Sequence, residues 1–166
     1  MLIARDRYLD ALKIRMHNNM IKVITGIRRC GKSYLVFKIF KGYLLEIGTP
    51  ENHIISIELD QRKNRELRNP DAILEYIDSR MNDDEQYYIL LDEVQMLKEF
   101  EEVLNSLLHI QNADVYVTGS NSKFLTKDVI TEFRGRGDEV HIYPLSFKEF
   151  MEVYEGDQYK GWAEYV

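Results

Sequence analysis

Gly26-Ile27-Arg28-Arg29-Cys30-Gly31-Lys32-Ser33 places two glycines, a lysine and a hydroxyl at the spacing of a phosphate-cradling loop of the Walker A kind. Before it, Met20-Ile21-Lys22-Val23-Ile24-Thr25 is a β-branched run suited to a buried parallel strand. After it, Tyr34-Leu35-Val36-Phe37-Lys38-Ile39-Phe40 continues with helical character. Strand, glycine loop and helix therefore come in the order such a loop requires. Gly26 and Gly31 allow backbone angles and a close approach that a Cβ forbids, so successive N–H groups can converge on a phosphate at the positive end of the helix. Lys32 can reach the β- and γ-phosphates as a point charge, and Ser33 offers a hydroxyl to Mg²⁺, which prefers oxygen ligands. The nucleotide-binding set expected from this stretch is Gly26, Ile27, Arg28, Arg29, Cys30, Gly31, Lys32, Ser33 and Tyr34. Cys30 lies at a helix N-terminus among Arg28, Arg29 and Lys32, surroundings that favour a reactive thiolate shielded by bound nucleotide.

The chain around the loop, 166 residues, is one domain by length, large enough to bury a core without disulfides or a structural metal. Its 45% hydrophobic and 30% charged content is that of a globular protein. A net charge of −6 and a pI of about 5.3 argue against nonspecific binding of nucleic acid or acidic membrane by the segment as a whole, while leaving a local basic patch open. The single cysteine, Cys30, rules out an internal disulfide and fits a reducing compartment. No apolar run approaches membrane-spanning length, and a cytoplasmic location is expected.

Apolar residues at Tyr8, Leu9, Leu12 and Met16 predict a helix from Asp6 to about His17. The helix after the glycine loop should fade near Gly48-Thr49-Pro50, and residues 53–59 read as a second strand. The segment 61–68 holds four basic residues, so a phosphate or nucleic-acid contact is conceivable; its lack of interleaved aromatics and the acidic balance favour a solvated loop. Asn69-Pro70-Asp71 starts a helix carrying Ile73, Leu74 and Ile77. Residues 87–91 are a third strand, 98–110 an amphipathic helix, and 114–118 a fourth strand. Short helical pieces are expected around Phe124-Leu125 and Ile130-Phe133, then a fifth strand over 139–143. Ser146 and Glu149 form a capping box for a last helix over 147–153. Five alternations of strand and helix predict a three-layer α/β/α domain with a mainly parallel five-stranded sheet. Residues 1–154 are expected to form the nucleotide-binding domain. The tail 155–166, with Trp162 and Tyr165 but no C-terminal helix signal, is expected to begin a further segment cut short.

The third strand runs into Asp92-Glu93, a Walker B pattern that carries carboxylates to the C-terminal edge of the sheet. Asp92 would hold Mg²⁺, and Glu93 would orient and polarise an attacking water, which favours hydrolysis over mere binding. Thr118, Ser120 and Asn121 close the fourth strand, where one could contact the γ-phosphate or the water; Ser120 or Asn121 could equally cap the next helix. Arg134-Gly135-Arg136-Gly137 is a basic turn suited to an arginine finger, or equally a solvated loop.

Together the motifs GIRRCGKS, YYILLDEVQ, VYVTGSNS and FRGRGDEVHIYPLSFKEF resemble the AAA+ superfamily, in particular the prokaryotic ATPases that join an AAA domain to a C-terminal domain of unknown function. The likeness runs from about Tyr8 to Phe150. It implies a P-loop NTPase sheet of the ASCE type, in which the fourth strand lies between the Walker A and Walker B strands. It also implies ATP/ADP and Mg²⁺ as ligands, and Lys32, Ser33, Asp92 and Glu93 in the roles above, with Ser120 or Asn121 as polar sensor. Arg134 or Arg136 would then act from a neighbouring copy of the chain. A helical lid with a second arginine sensor, usual in such proteins, does not fit in the residues after Phe150. An ATPase slow in isolation is the expected activity, with a nucleotide-dependent switch of little turnover or a small-molecule kinase as alternatives. Preference for ATP over GTP rests on the resemblance and on the lack of a guanine-reading Asn-Lys-x-Asp sequence. Neither a nucleic-acid nor a membrane partner is indicated.

Overall fold

The computed structural model describes residues 3–120 and 136–166. Five parallel strands form one sheet in the order β2-β3-β4-β1-β5: β1 (Ile21–Thr25), β2 (Ile54–Glu58), β3 (Tyr87–Asp92), β4 (Ala113–Thr118) and β5 (Gly137–His141). The strand after the third crossover, β4, thus sits between β1 and β3, as the resemblance implies.

Parallel strands are covered on both faces, so both sides of their pleat must be apolar. β3 follows this rule: Tyr87, Ile89 and Leu91 enter one core, Tyr88 and Leu90 the other, and every residue of the strand is buried. The first core is closed by α3 (Pro70–Arg80), through Ile73 and Ile77, and by α4 (Phe100–Leu108), through Val103, Leu104 and Leu107. The second is closed by α1 (Asp6–Arg15), through Tyr8 and Leu12, and by α2, residues 32–46. α2 opens as an α-helix over Lys32–Tyr34, widens to a π-helix over Leu35–Phe40 and returns to α over Lys41–Glu46. The widened segment buries Leu35, Val36, Ile39 and Phe40 beneath β1 and β4, with Phe40 against the Tyr116 ring.

Local signals set most boundaries. The Asn69 side chain accepts from the N–H groups of Asp71 and Ala72 with Pro70 in the first turn, and the Ser146–Glu149 capping box opens α5 (Phe147–Met151). Residues 62–68 are a short 3-10 helix, Arg62–Arg68, with no buried residue. Two expectations shift. β5 spans Gly137–His141 instead of 139–143, because it pairs in register with β1 from Ile21↔Gly137 to Thr25↔His141. The tail is helical, α6 (Gln158–Tyr165), started by the Asp157 side chain, which accepts from Tyr159 and Lys160. α6 packs on α5 through Phe147 against Trp162 and Tyr165. The expected helical pieces at Phe124-Leu125 and Ile130-Phe133 lie outside the described residues.

At the N-terminal edge of the sheet, Lys22 and Asp114 form a buried ion pair between β1 and β4. Asp114 also accepts from the Tyr116 hydroxyl at 2.8 Å and the His17 N–H at 3.1 Å, while Lys22 donates to Asn18 at 3.2 Å. Burial and the adjacent Asp114 carboxylate push the Tyr116 phenol far above its ordinary pKa, so it stays a donor. Two buried charges are thereby satisfied, which their desolvation demands. Among the described residues no helix is long and apolar enough to cross a membrane.

Candidate functional site

The loop from Gly26 to Gly31 leaves β1 at the C-terminal edge of the sheet and runs into α2. Gly26 has φ +148, and a Cβ placed there would lie 2.5 Å from the Ile142 carbonyl oxygen and 2.7 Å from Cys30 Sγ. Arg29 (φ 66) and Gly31 (φ 95) are left-handed on either side of Cys30, an alternation that turns successive N–H groups toward one side. The N–H groups of Gly31, Lys32 and Ser33 donate to no acceptor among the described residues. Together with the N-terminal end of α2, they form an anion receptor.

Lys32 is buried, and its Nζ donates to the carbonyls of Gly26 and Ile27, each at 2.9 Å, so the ammonium is held across the mouth of the loop. Ile27, Arg28 and Arg29 are exposed, and neither arginine has a side-chain partner among the described residues. Cys30 departs from expectation: it is 4% exposed and packs into the core beside Leu35 and Ile142. A thiol so enclosed is not the open, reactive group its cationic neighbours imply, because the loop turns it into the core, with Lys32 Nζ 3.9 Å from its Sγ.

The two motifs meet directly. Ser33 Oγ donates to Asp92 Oδ1 at 2.8 Å, and the buried Thr118 hydroxyl donates to the same oxygen. Burial raises the Asp92 pKa, the two hydroxyls pull it back, and Glu93 and Asp60 add to the rise. Thr118 Oγ1 also accepts from the Glu93 N–H at 3.0 Å, so it is committed to orienting the acidic pair and is not free for a phosphate. Glu93 itself is left-handed at φ 52, and its carboxylate accepts from Ser120 Oγ at 3.0 Å and from the Gln95 amide. Sequence reasoning placed Ser120 near the site and missed Gln95, which lies two residues past the pair on a 3-10 turn (Val94–Met96).

Arg5 was also missed. It is 4% exposed, and its guanidinium donates to the Cys30 carbonyl at 2.8 Å, the Tyr143 carbonyl at 2.7 Å and Glu149 Oε1 at 3.1 Å. Burial pushes the Glu149 carboxyl up, but hydrogen bonds from Ser146 and Arg5 outweigh it and leave the group below its ordinary range. Beside this contact an apolar hollow of about 250 Å³ is lined by Ile3, Arg5, Arg29, Tyr34 and Leu145, with the Ile3 N–H donating to the Tyr34 hydroxyl at 3.0 Å.

Arg136 is not part of this assembly within one chain. It precedes β5 at the N-terminal edge, where its carbonyl accepts from the Ile21 N–H and its guanidinium donates to Asn105 at 2.8 Å. One strand length, roughly 15 Å, separates it from the loop. Asn121 and Arg134 lie outside the described residues.

A glycine loop with inward N–H groups, a lysine across its mouth and a strand-borne acidic pair beside it define a P-loop nucleotide-binding protein. The family described as "AAA domain" matches residues 18–151, and the chain belongs to it, within the AAA+ superfamily of P-loop ATPases. An uncharacterized protein of Haemophilus influenzae is 33% identical over 151 residues, which cover 90% of this chain and 38% of that protein. A DNA polymerase III gamma subunit-related protein of Thermotoga maritima shares the fold with a TM-score of 0.62 at 15% identity, over 92% of this chain and 52% of that one. The Aeropyrum pernix Orc1 protein, solved in complex with DNA, matches at TM-score 0.60 and 13% identity, over 99% of this chain and 50% of that one. The chain thus spans about a third to a half of the length of these relatives.

Proposed function

We propose that this AAA+ module binds ATP and hydrolyses it slowly to ADP and phosphate. The observation that carries the reading is the 2.8 Å contact between Ser33 and Asp92, which brings the hydroxyl of one motif to the carboxylate of the other with Glu93 adjacent. The β-phosphate would rest on the N–H groups of Gly31, Lys32 and Ser33, and Lys32 would turn from the loop carbonyls toward the β- and γ-phosphates. The apolar hollow beside Tyr34 would take the base.

Ser33 and Asp92 fit Mg²⁺, since both offer hard oxygen donors. Among the described residues no three His, Cys, Asp or Glu side chains form a metal cage, in keeping with an ion that keeps waters and substrate oxygens. Held by Ser33 and Asp92, Mg²⁺ would supply neutralisation of the phosphate charge. Glu93 would take a proton from the water whose oxygen attacks the γ-phosphorus, while the bond to the ADP oxygen breaks. Ser120, already on the Glu93 carboxylate, would hold that base in place. We take residues 1–154 as the nucleotide-binding unit with 155–166 opening a further segment, and place the chain in the cytoplasm, where its one cysteine stays reduced.

A second reading, a switch in which occupancy matters more than turnover, is favoured by the restraint on Glu93: both Ser120 and Gln95 occupy its carboxylate. Two variants separate these readings. Lys32→Ala should abolish MgATP binding in a calorimetric titration with the fold intact. Glu93→Gln should bind ATP normally and lose roughly 10²–10⁴ in phosphate release. Unchanged affinity in the first variant overturns the site, and unchanged release in the second leaves the switch.

A further inference from the structure

We propose that the 3-10 helix Arg62–Arg68 and Lys98 form a docking surface for the phosphate backbone of duplex nucleic acid, hydrogen-bonded to the segment that carries Glu93. The coupling half rests on the ATPase reading above, and the binding half does not.

Arg62, Lys63, Arg65 and Lys98 are exposed, and their side chains make no hydrogen bond, ion pair or ring contact to any described residue. This is not for want of carboxylates, since the chain has 28 acidic residues to 22 basic ones. Elsewhere among the described residues Arg5, Lys13, Arg15, Lys22 and Lys41 are in ion pairs, while Arg28 and Arg29 of the phosphate loop and the separate Lys38, Lys148 and Lys160 are not. Within the 3-10 helix Glu66 is the one acid, with Asp60 at its margin.

The turn is also held rigidly. Arg68 donates to the Leu59 carbonyl at 2.7 Å and the Asp60 carbonyl at 3.3 Å, Asn64 donates to the Glu58 carbonyl at 2.9 Å, and Leu67 packs against the core. The backbone that carries the cations is therefore ordered before binding, and only side-chain freedom is lost on it. Between this turn and Met96–Lys98 lies an open hollow of about 610 Å³, lined by Arg65, Glu66, Arg68, Asn69, Met96 and Lys98.

The lining selects the partner. No aromatic side chain faces the hollow, so there is no platform on which unpaired bases could stack, which disfavours a single strand. Guanidinium groups suit the paired oxygens of a phosphate, and a duplex offers one negative charge per ~1.7 Å of axis. Contacts of this kind carry no base information. The overall charge of −6 weakens long-range attraction, yet at physiological salt the screening length is about 8 Å, so the nearest cations dominate at contact.

The patch lies beside the candidate catalytic pair. The Lys98 N–H donates to the Arg68 carbonyl at 3.0 Å, and the Met96 N–H donates to the Glu93 carbonyl at 2.9 Å. A phosphate drawn onto Arg65 and Lys98, which line the same hollow, therefore bears on the turn that positions Glu93.

Fluorescence anisotropy with a labelled duplex, without nucleotide, tests the binding half on its own. With four phosphates neutralised, by Arg62, Lys63, Arg65 and Lys98, log affinity should fall with log salt at a slope of about −3.6, roughly 150-fold for a fourfold rise in salt. The triple variant Arg62→Gln, Lys63→Gln, Arg65→Gln should lose at least about tenfold in affinity and most of that slope, with an unchanged melting temperature. No duplex binding, an unaltered triple variant, or tighter binding of a single strand, a polyglutamate peptide or an anionic vesicle overturns the proposal. In the second measurement duplex should raise steady-state phosphate release several-fold in the parent protein and not in the triple variant. Equal release with and without duplex overturns the coupling while leaving the ATPase reading intact.

Discussion

Asp92 is a carboxylate buried to 4% exposure, and its two hydroxyl donors offset only part of the cost of ionising it there. Its pKa in the fold lies above that of the unfolded chain, so its contribution to stability is full below the unfolded value and is lost as pH rises through the folded one. Near neutral pH the ionised group is a burden on the nucleotide-free fold. Asp92→Asn should therefore raise the thermal midpoint by a few degrees while removing the Mg²⁺-dependent gain in nucleotide affinity. In the parent protein that gain should fade on acidification before ordinary carboxylates, at about pH 4, begin to titrate. A lower midpoint in the variant would mean that Thr118 and Ser33 need the charge more than the fold resents it. At this scale the sequence is legible in position where side-chain type and spacing decide: Gly26, Gly31, Lys32 and Ser33 lie where β1 passes into α2, and Asp92 and Glu93 at the end of β3. Arg5, Gln95 and the committed Thr118 are illegible because their roles come from partners on other strands or turns. Cys30 is misread because spacing does not tell which way a loop side chain turns.

Arg5 sits at the start of α1, and through it α1, the phosphate loop, the segment after β5 and α5 share one guanidinium. Arg5→Ala should destabilise the fold by about 2–4 kcal/mol, since it strands two carbonyls and removes a buried charged donor. It should also weaken nucleotide binding, because the Cys30 carbonyl anchors the loop. Arg5→Lys should recover little of either, as a point charge cannot reach three acceptors in a fork. Urea midpoints and a nucleotide titration on both variants check this; an Arg5→Ala protein with unchanged affinity would reduce the contact to packing. Among elements, α3 and α5 were legible from their caps. α6 was missed although Asp157 is a cap by type, because a lone Asp before an aromatic tail has many other uses. The π-helical stretch in α2 carries no local signal; it is set by how Leu35 to Phe40 must meet β1 and β4.

Across the whole molecule, the parallel sheet separates two edges. The loop, Asp92, Glu93 and the basic 3-10 turn crowd the C-terminal edge, while Arg136 and the Lys22–Asp114 pair lie at the other. An arginine acting from one copy on the site of another must then join unlike edges, a head-to-tail contact that closes into rings or continues as a filament. Turnover per subunit should rise with protein concentration in the full-length protein. Mixing Arg136→Ala with Lys32→Ala should restore activity that neither has alone, measured as phosphate release, because each copy supplies the part the other lacks. Activity independent of concentration, with no recovery on mixing, would leave Arg136 a partner of Asn105 only. The alternation of strands and helices made the layers legible, whereas strand order came from the resemblance alone, since alternation is silent on which strands become neighbours. The buried Lys22 was hidden in an apolar run, its partner Asp114 lying on a strand far along the chain.

The crowding at Gly26 bears on how far the loop can be transplanted. Its backbone is pressed against the Ile142 carbonyl, a residue from the far end of the chain, and the Ile142 N–H donates to the Thr25 carbonyl just before the loop. Eight residues suffice to recognise the motif, but its shape is borrowed from the residue that follows β5, which the ribosome delivers more than a hundred residues later. A peptide of β1, loop and α2 alone, or a graft onto a sheet without a β5 equivalent, would keep every letter of the motif and lose the wall that moulds it.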